Sequence, residues 1–436
     1  AVVPGVNLVD PLASAARDPT HGPQAIQAEL RRATQIPPYD LQFLAKAYLG
    51  GPNSFDNEYW HRRAPGRVLQ DVVANGIPAY LVGGWFDLFQ RGEPLNYASF
   101  QNAYRHRPLL APMGPKQQPT GRYQLLQGPW YHVTYGQGLD YRGLDLDGIE
   151  LAWFDRWLKG RRTGIAATRK PQHLYDLGTS SWKDTARYPV EHAKPRAYYL
   201  GAGGSLETKA PKGASGADQL VFTGSRIPCS NSAEQWAAGL GVLATSYLGI
   251  QDPCAQDASL AQQGPAQQSY ETKPFAKATT LAGPIGATLF ATSTTPDTEW
   301  VVDVSDVAPN GHARQLTSGL LEGMQRAVIH DHRTWKGVGG RPILPYHRYT
   351  KAALKAAVPG KVTRYDVEVF PTFATLAKGH RLRVTVATSD FPHALPSVTQ
   401  LPGLAGGVYE LQRRRSAASS VQLPLAPVGS FATAHG

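Results

Sequence analysis

Residues 77–89 have the sequence IPAYLVGGWFDLF, and residues 123–132 have the sequence YQLLQGPWYH. Each segment starts with a short apolar run and then reaches glycine, aromatic and polar residues. Short apolar runs bounded by turn residues are typical of buried strands in a parallel sheet. These two segments therefore predict two neighbouring strands, each followed by polar side chains at its carboxyl end.

Two helical patterns follow these strands. Residues 94–104 (PLNYASFQNAY) lie between the two strands, and residues 148–159 (GIELAWFDRWLK) follow the second. The second pattern is amphipathic, with Asp147 and Glu150 in a capping-box-like start and Gly160 at its end. The order strand, helix, strand, helix predicts one edge of an α/β sheet.

The rest of the chain differs on either side of this sheet. Residues 1–75 contain helical patterns, clearest over residues 23–34 and 39–48, and no strand pattern. After residue 170, short β-rich runs alternate with turn residues, which predicts an antiparallel sandwich or jelly roll. The fold class is therefore α/β plus all-β. Its three predicted parts are a helical region over residues 1–75, part of an α/β domain over 76–168, and a β-sandwich over 169–436.

Composition narrows the class of protein further. The 436 residues include 44 glycines and 35 prolines, which excludes a coiled coil or a helix bundle. The formal net charge is +11, but the basic residues are scattered and no nucleic-acid-binding motif accompanies them. We therefore expect no nucleic-acid partner. No run of about 18 apolar residues is present, so we expect no transmembrane helix.

Asp87 and His132 are the candidate catalytic residues. Each comes directly after one of the two predicted strands, and the carboxyl ends of neighbouring parallel strands meet at one edge of a sheet. An Asp hydrogen-bonded to a His sets the imidazole tautomer, which leaves the His free to deprotonate a nucleophile. Taken alone, Asp87 is better explained as a helix cap and His132 as a core histidine. The pair in this context favours catalysis.

The segments GGWFDLF (83–89), GPWYH (128–132) and AWFDRWLKG (152–160) resemble the CocE/NonD hydrolases, and GHRLR (379–383) resembles a strand of their C-terminal domain. This serine-hydrolase group includes cocaine esterase, α-amino acid ester hydrolases and X-prolyl dipeptidyl peptidases. The resemblance covers about residues 55–435. It implies an α/β-hydrolase domain with a helical cap, here residues 1–75, and a C-terminal jelly roll.

The resemblance also implies roles for individual residues. Asp87 would be the acid of a Ser-His-Asp triad and His132 its base, acting on an ester or amide acyl bond without a cofactor or a metal. Four aromatic residues near them would line an acyl pocket, since flat aromatic walls bind acyl groups and exclude water. They are Trp85, Phe86, Phe89 and Trp130, and Phe89 is the best candidate.

A nucleophilic serine does not accompany this pair. The two serines before Asp87 are Ser14 and Ser54, and neither has the flanking glycines of a nucleophile elbow. We expect the nucleophile on an N-terminal fragment of the same precursor. Two alternatives are a truncated product and a relative without a nucleophile. In the last case the protein would be a carbohydrate- or envelope-binding jelly roll with a relic Asp/His pair.

The two cysteines, Cys229 and Cys254, lie in polar, turn-rich sequence and are interpreted as one surface disulfide, with two free thiols as the alternative. The sequence starts at Ala1 and has no signal peptide, which fits a processed, exported product. We therefore expect a secreted or cell-envelope location.

Overall fold

The computed structural model describes residues 38–132, 144–224, 235, 257–259, 262–390, 394 and 396–433. Residues 38–75 are helical, as the sequence predicts. The helices there are α1 (Pro38–Tyr48), α2 (Glu58–His61) and α3 (Leu69–Ala74). The predicted helix over residues 23–34 lies outside the described residues. The assignment of this part as a cap remains a prediction.

A five-stranded sheet follows, with the strand order β1-β2-β3-β4-β19. The first three strands are parallel, and the last two are antiparallel. Helices cross between the parallel strands, so this is the α/β arrangement that the first two segments predict. The elements are β1 (Ala79–Gly84), α4 (Gly92–Tyr104), β2 (Tyr123–Gly128), α5 (Leu146–Trp157), β3 (Gln172–Asp176), β4 (Ser181–Thr185) and β19 (Ala432–Thr433).

The parallel sheet continues beyond the boundary predicted at residue 168. Strand β3 pairs with β2 in parallel, with Leu126 opposite His173. Strand β4 then returns antiparallel to β3. The β-rich sequences of β3 and β4 resemble those of the strands that come later in the chain. Their hydrogen-bond pairing, however, places both strands in the α/β sheet.

The remaining strands form two antiparallel sheets. The smaller has the order β11-β10-β15-β8, and the larger has the path β17-β16-β9-β18-β5-β6, with β14 on β9 and β7 on β16. The strands are β5 (Lys194–Leu200), β6 (Leu206–Glu207), β7 (Ala217–Val221), β8 (Gln267–Glu271), β9 (Thr279–Ser293), β10 (Glu299–Val307), β11 (Ala313–Glu322), β14 (Thr363–Leu376), β15 (Arg381–Ala387), β16 (Val408–Arg414), β17 (Ala417–Ala418) and β18 (Ser420–Pro427). A separate hairpin of β12 (Trp335–Lys336) and β13 (Pro342–Leu344) and the short helix α6 (Leu401–Leu404) complete the elements.

The two antiparallel sheets pack face to face. Trp300 of the smaller sheet is fully buried between Tyr365 and Tyr409 of the larger, at ring-centroid distances of 5.3 and 5.2 Å. The β-sandwich predicted for this part of the chain is therefore present. The jelly-roll connectivity remains a prediction.

The sandwich and the parallel sheet share one buried core. A continuous cluster of buried side chains includes Trp85 and Leu125 of the parallel-sheet region together with Trp300 of the sandwich. Asp176 at the end of β3 also accepts hydrogen bonds from the backbone nitrogen and the hydroxyl of Thr375, at 2.7 and 2.6 Å. The sandwich is thus packed against the sheet that carries the candidate site. None of the described helices is long and apolar enough to cross a membrane.

Candidate catalytic site

The carboxyl ends of β1 and β2 lie side by side. Gly84 is opposite Gly128 in the parallel register. Beyond the strands, the backbone nitrogen of Trp85 donates to the carbonyl of Gly128 at 2.8 Å, and that of Phe86 donates to Trp130 at 3.1 Å. The two loops that follow the strands are therefore tied together where the sequence analysis expected the site.

Gly84 is required by this close approach, and Gly128 by the packing of the Trp130 ring. A Cβ atom at Gly84 would lie 2.1 Å from the carbonyl oxygen of Trp130, and one at Gly128 would lie 2.4 Å from the Trp130 ring. A larger residue at Gly84 would push the two loops apart, and one at Gly128 would displace the Trp130 ring within its own segment. Gly84 thus allows the segments that carry Asp87 and His132 to approach each other.

Asp87 and His132 are in contact, as predicted. The Nδ1 atom of His132 is 3.1 Å from Oδ2 of Asp87. The other carboxylate oxygen accepts the backbone N–H of Phe89 at 2.7 Å, which holds the carboxylate in place. The Asp87 side chain is only 14% exposed and that of His132 is 42% exposed. The aspartate is thus sheltered and the imidazole is accessible.

Three other Asp–His pairs among the described residues show that the contact alone is not diagnostic. These pairs are His61–Asp56 at 3.0 Å, His173–Asp184 at 2.7 Å and His380–Asp306 at 2.8 Å. None of them follows two adjacent parallel strands. The position at the carboxyl edge of the parallel sheet distinguishes the Asp87–His132 pair.

The four predicted pocket aromatics have different surroundings. Trp85, Phe86 and Trp130 are buried, and the indole nitrogen of Trp85 donates to the Tyr175 carbonyl at 2.7 Å. These three belong to the buried core. Phe89 is 37% exposed, and its ring meets the His132 imidazole edge-on with the centroids 5.4 Å apart. Of the four, Phe89 is the exposed one beside the imidazole, and its role as a pocket wall remains a prediction.

Glu93, in the first turn of α4, was missed by the sequence analysis. Burial, and less strongly the negative charge of Asp87, raise its pKa to about 8, so the carboxyl is mostly protonated at neutral pH. It packs against the carboxyl end of β1, where a Cβ atom at Gly83 would lie 2.7 Å from its Cγ. The sequence offers no signal for it, because a Glu at a helix start is usually a solvated partner of the helix dipole.

Three polar residues in or beside the Asp87 loop were also missed. Gln90 and Arg91 of this loop form hydrogen bonds to Pro371 and Glu368 of the sandwich, and Gln235 forms hydrogen bonds to Asp87 and Gln90. Their partners are far away in sequence, so no local pattern indicates them.

The remaining predicted residues are not at the site or are not described. Cys229, Cys254 and Ser14 lie outside the described residues, so the disulfide remains a prediction. Ser54 sits in a short 3₁₀ turn, and its hydroxyl donates to the carbonyl of Ala47 at 2.5 Å. Among the described residues, no group of three or more His, Cys, Asp or Glu side chains is arranged to hold a metal ion.

The profile of the family described as the X-Pro dipeptidyl-peptidase C-terminal non-catalytic domain matches residues 164–403. The chain belongs to this family. The resemblance to CocE/NonD hydrolases inferred from the motifs is confirmed. The matched range covers most of the sandwich and also strands β3 and β4, while Asp87 and His132 precede it.

Named relatives align with most of this chain. Two proteins named as serine esterases, from Mycobacterium bovis and Mycobacterium tuberculosis, are 28% identical over 367 residues, which is 83% of this chain and 52% of theirs. The cocaine esterase of Rhodococcus is 23% identical over 72% of this chain and 49% of its own length. The chain therefore spans about half the length of these relatives.

Solved structures share the fold. An aminopeptidase from a marine sediment archaeon superimposes with a TM-score of 0.64 at 18% identity, covering 95% of this chain and 64% of that one. An α-amino acid ester hydrolase superimposes with a TM-score of 0.63 at 17% identity, covering 92% of this chain and 62% of that one. A CocE/NonD family hydrolase from Staphylococcus aureus superimposes with a TM-score of 0.53 at 14% identity, covering 80% of this chain and 54% of that one.

Proposed function

We propose that this chain supplies the acid and base of a Ser-His-Asp triad in a serine hydrolase that cleaves an ester or amide acyl bond. The observation that carries the proposal is the 3.1 Å contact between His132 and Asp87 at the carboxyl edge of the parallel sheet. The esterase names of the mycobacterial and Rhodococcus relatives support this reaction class. An exported location is part of the same proposal.

The nucleophile in this proposal is a serine on an N-terminal segment of the same precursor. Among the described strands, β1 pairs on one side only, with β2. Beside the sheet, Leu151 and Phe154 of α5 are 62% and 53% exposed. An open parallel edge next to exposed apolar side chains favours a further part of the sheet docked there.

The proposed reaction follows from the geometry of the pair. The serine Oγ attacks the acyl carbon while its proton passes to Nε2 of His132, and the imidazolium is stabilised by Asp87. His132 then gives this proton to the leaving alcohol or amine as the acyl–oxygen or acyl–nitrogen bond breaks. Water, deprotonated by His132, hydrolyses the acyl-enzyme, which releases the acid and regenerates the serine. Phe89 forms one wall beside the imidazole.

The test uses the chain together with its N-terminal segment, with p-nitrophenyl acyl esters as substrates. Asp87→Asn and His132→Ala should each lower kcat/KM by about 10³–10⁴-fold, because the base then lacks the correct tautomer or is missing. The matched controls are Asp184→Asn and His173→Ala, which break a similar Asp–His pair in the same sheet. Controls near wild-type activity support the assignment.

Retention of activity in His132→Ala would overturn it. A fluorophosphonate probe provides an independent outcome, since it should label the serine covalently in the wild-type assembly. Absence of labelling in every preparation would refute a serine mechanism and favour a binding role for the sandwich.

A further inference from the structure

The loop between β1 and α4, residues 85–91, carries Asp87 and is held by the sandwich. Gln90 is 1% exposed, and its side-chain amide donates to the backbone carbonyl of Pro371 in β14. The next residue, Arg91, donates from Nε to Glu368 of the same strand at 2.6 Å. Two consecutive residues of the loop are thus fastened to one strand of the neighbouring sheet.

A bulge in β14 makes this attachment possible. The pairing of β14 with β9 shifts register between Val369 and Thr372, so Phe370 and Pro371 leave the regular ladder. The carbonyl of Phe370 accepts the Thr317 hydroxyl at 2.9 Å, and that of Pro371 accepts Gln90. Bulges commonly redirect backbone groups beside functional sites, and this one directs a carbonyl toward the loop that carries Asp87.

Gln235 connects the attachment to Asp87 itself. It is 4% exposed, and its amide donates to the Asp87 carbonyl oxygen at 2.8 Å and to Oε1 of Gln90 at 2.9 Å. The same Asp87 carbonyl accepts the backbone N–H of Gln90 at 3.1 Å. The Asp87 carbonyl is therefore held by Gln235 and Gln90, while the Asp87 carboxylate contacts His132.

We propose that the sandwich positions the catalytic acid: Gln90, Gln235 and the Arg91–Glu368 ion pair hold the backbone of Asp87 so that its carboxylate stays within hydrogen-bond distance of His132. The inference rests on the proposed function and gives the domain described as non-catalytic a part in the chemistry. These residues touch no reacting atom, so they are positioning residues. A misplacement of about 1 Å at a catalytic group lowers rates by up to about 100-fold.

The first measurement is steady-state kinetics of the chain with its N-terminal segment. Gln90→Ala removes the links to both Pro371 and Gln235, so kcat should fall about tenfold with KM within about twofold of wild type. The control is Gln422→Ala, because Gln422 of β18 is, like Gln90, a buried glutamine, and its amide bonds to the backbone of Val338. That control should lose stability without a fall in kcat.

The second measurement needs no substrate. In the chain itself, ¹⁵N NMR of labelled histidines reports the tautomer of His132, with the resonance assigned by His132→Ala. Wild type and Gln422→Ala should show the Nδ1–H tautomer that the Asp87 contact favours, and Gln90→Ala should show a larger Nε2–H fraction. Glu368→Gln, which keeps the side-chain shape, serves if Gln90→Ala does not fold and should produce the same change more weakly.

The outcomes separate the two proposals. If Asp87→Asn abolishes turnover but Gln90→Ala matches Gln422→Ala in both kcat and tautomer, the positioning role is wrong and the proposed function stands. If Asp87→Asn and His132→Ala keep full activity, the proposed function is wrong. The tautomer measurement still decides whether the sandwich holds Asp87 against His132.

Discussion

The parallel-sheet region and the sandwich differ in how completely they are covered. In β10 of the sandwich, all but one residue is buried, whereas the first four residues of β1 are only partly buried. The sandwich has a well-buried apolar core, whereas the sheet region has an open edge and sheltered polar groups. The candidate chemistry lies in the less complete region, where His132 is accessible, and the better-packed region provides support.

The largest effect should come from Trp300→Ala in the sandwich core. Trp300 is fully buried between two tyrosine rings, and removing a buried tryptophan costs about 3–5 kcal/mol of the free energy of unfolding. Because the core is continuous, we expect one shared unfolding transition that moves as a whole. Urea unfolding followed by circular dichroism and by tryptophan fluorescence tests this. Two separate transitions would mean that the regions are independent units.

A smaller effect is expected from adding one methyl group in each region. A Cβ at Gly84 would lie 2.1 Å from the Trp130 carbonyl, and one at Gly286 would lie 2.3 Å from the Pro342 carbonyl. Each Gly→Ala change should cost about 2–3 kcal/mol through overpacking. Gly84→Ala alone should also disturb the Asp87–His132 contact, seen as a change in the His132 ¹⁵N shifts.

Gly92→Ala is the control for this pair, since a Cβ at Gly92 meets nothing within 4 Å. If Gly84→Ala and Gly286→Ala disturb the His132 signal equally, the two regions do not differ in how they affect the site, and the comparison is wrong.

The smallest effect is a pH dependence from Glu93→Gln. Burial raises the pKa of Glu93 from 4.5 to about 8, so between these values the folded chain binds more protons than the unfolded chain. Stability should therefore fall as the pH rises through this window and then level off. Relative to wild type, Glu93→Gln should gain more stability at pH 8 than at pH 5. Urea midpoints at both pH values measure this, and an equal difference at both would contradict it.

The sequence predicted best where local pattern and local structure coincide. The helix predicted over residues 39–48 is α1, and the strand signal beginning at Tyr123 is β2. The predicted contact of Asp87 with His132 followed from a single rule about strand ends. Helix α5 starts slightly earlier than predicted, because Asp145 caps it by accepting the Gly148 N–H at 2.9 Å.

Prediction was weakest where partners are distant in sequence. Strand β3 has the same β-rich character as the sandwich strands, and only its pairing with β2 assigns it to the parallel sheet. Gln90 meets Pro371 across 281 positions, which no periodicity encodes. The protonated state of Glu93 depends on burial in the folded chain, so the composition and residue spacing of the sequence do not indicate it.

The bulge in β14 also bears on how such domains can be exchanged. Phe370 and Pro371 are unpaired in the ladder with β9, and an alignment of strand patterns would treat them as an ordinary irregularity. A chimera that replaced this sandwich with a regular one from another hydrolase would keep the sheet packing and lose the contact to Gln90. Compatibility between modules of this architecture therefore depends on the irregular backbone at Phe370 and Pro371, in addition to the shape and hydrophobicity of the joined surfaces.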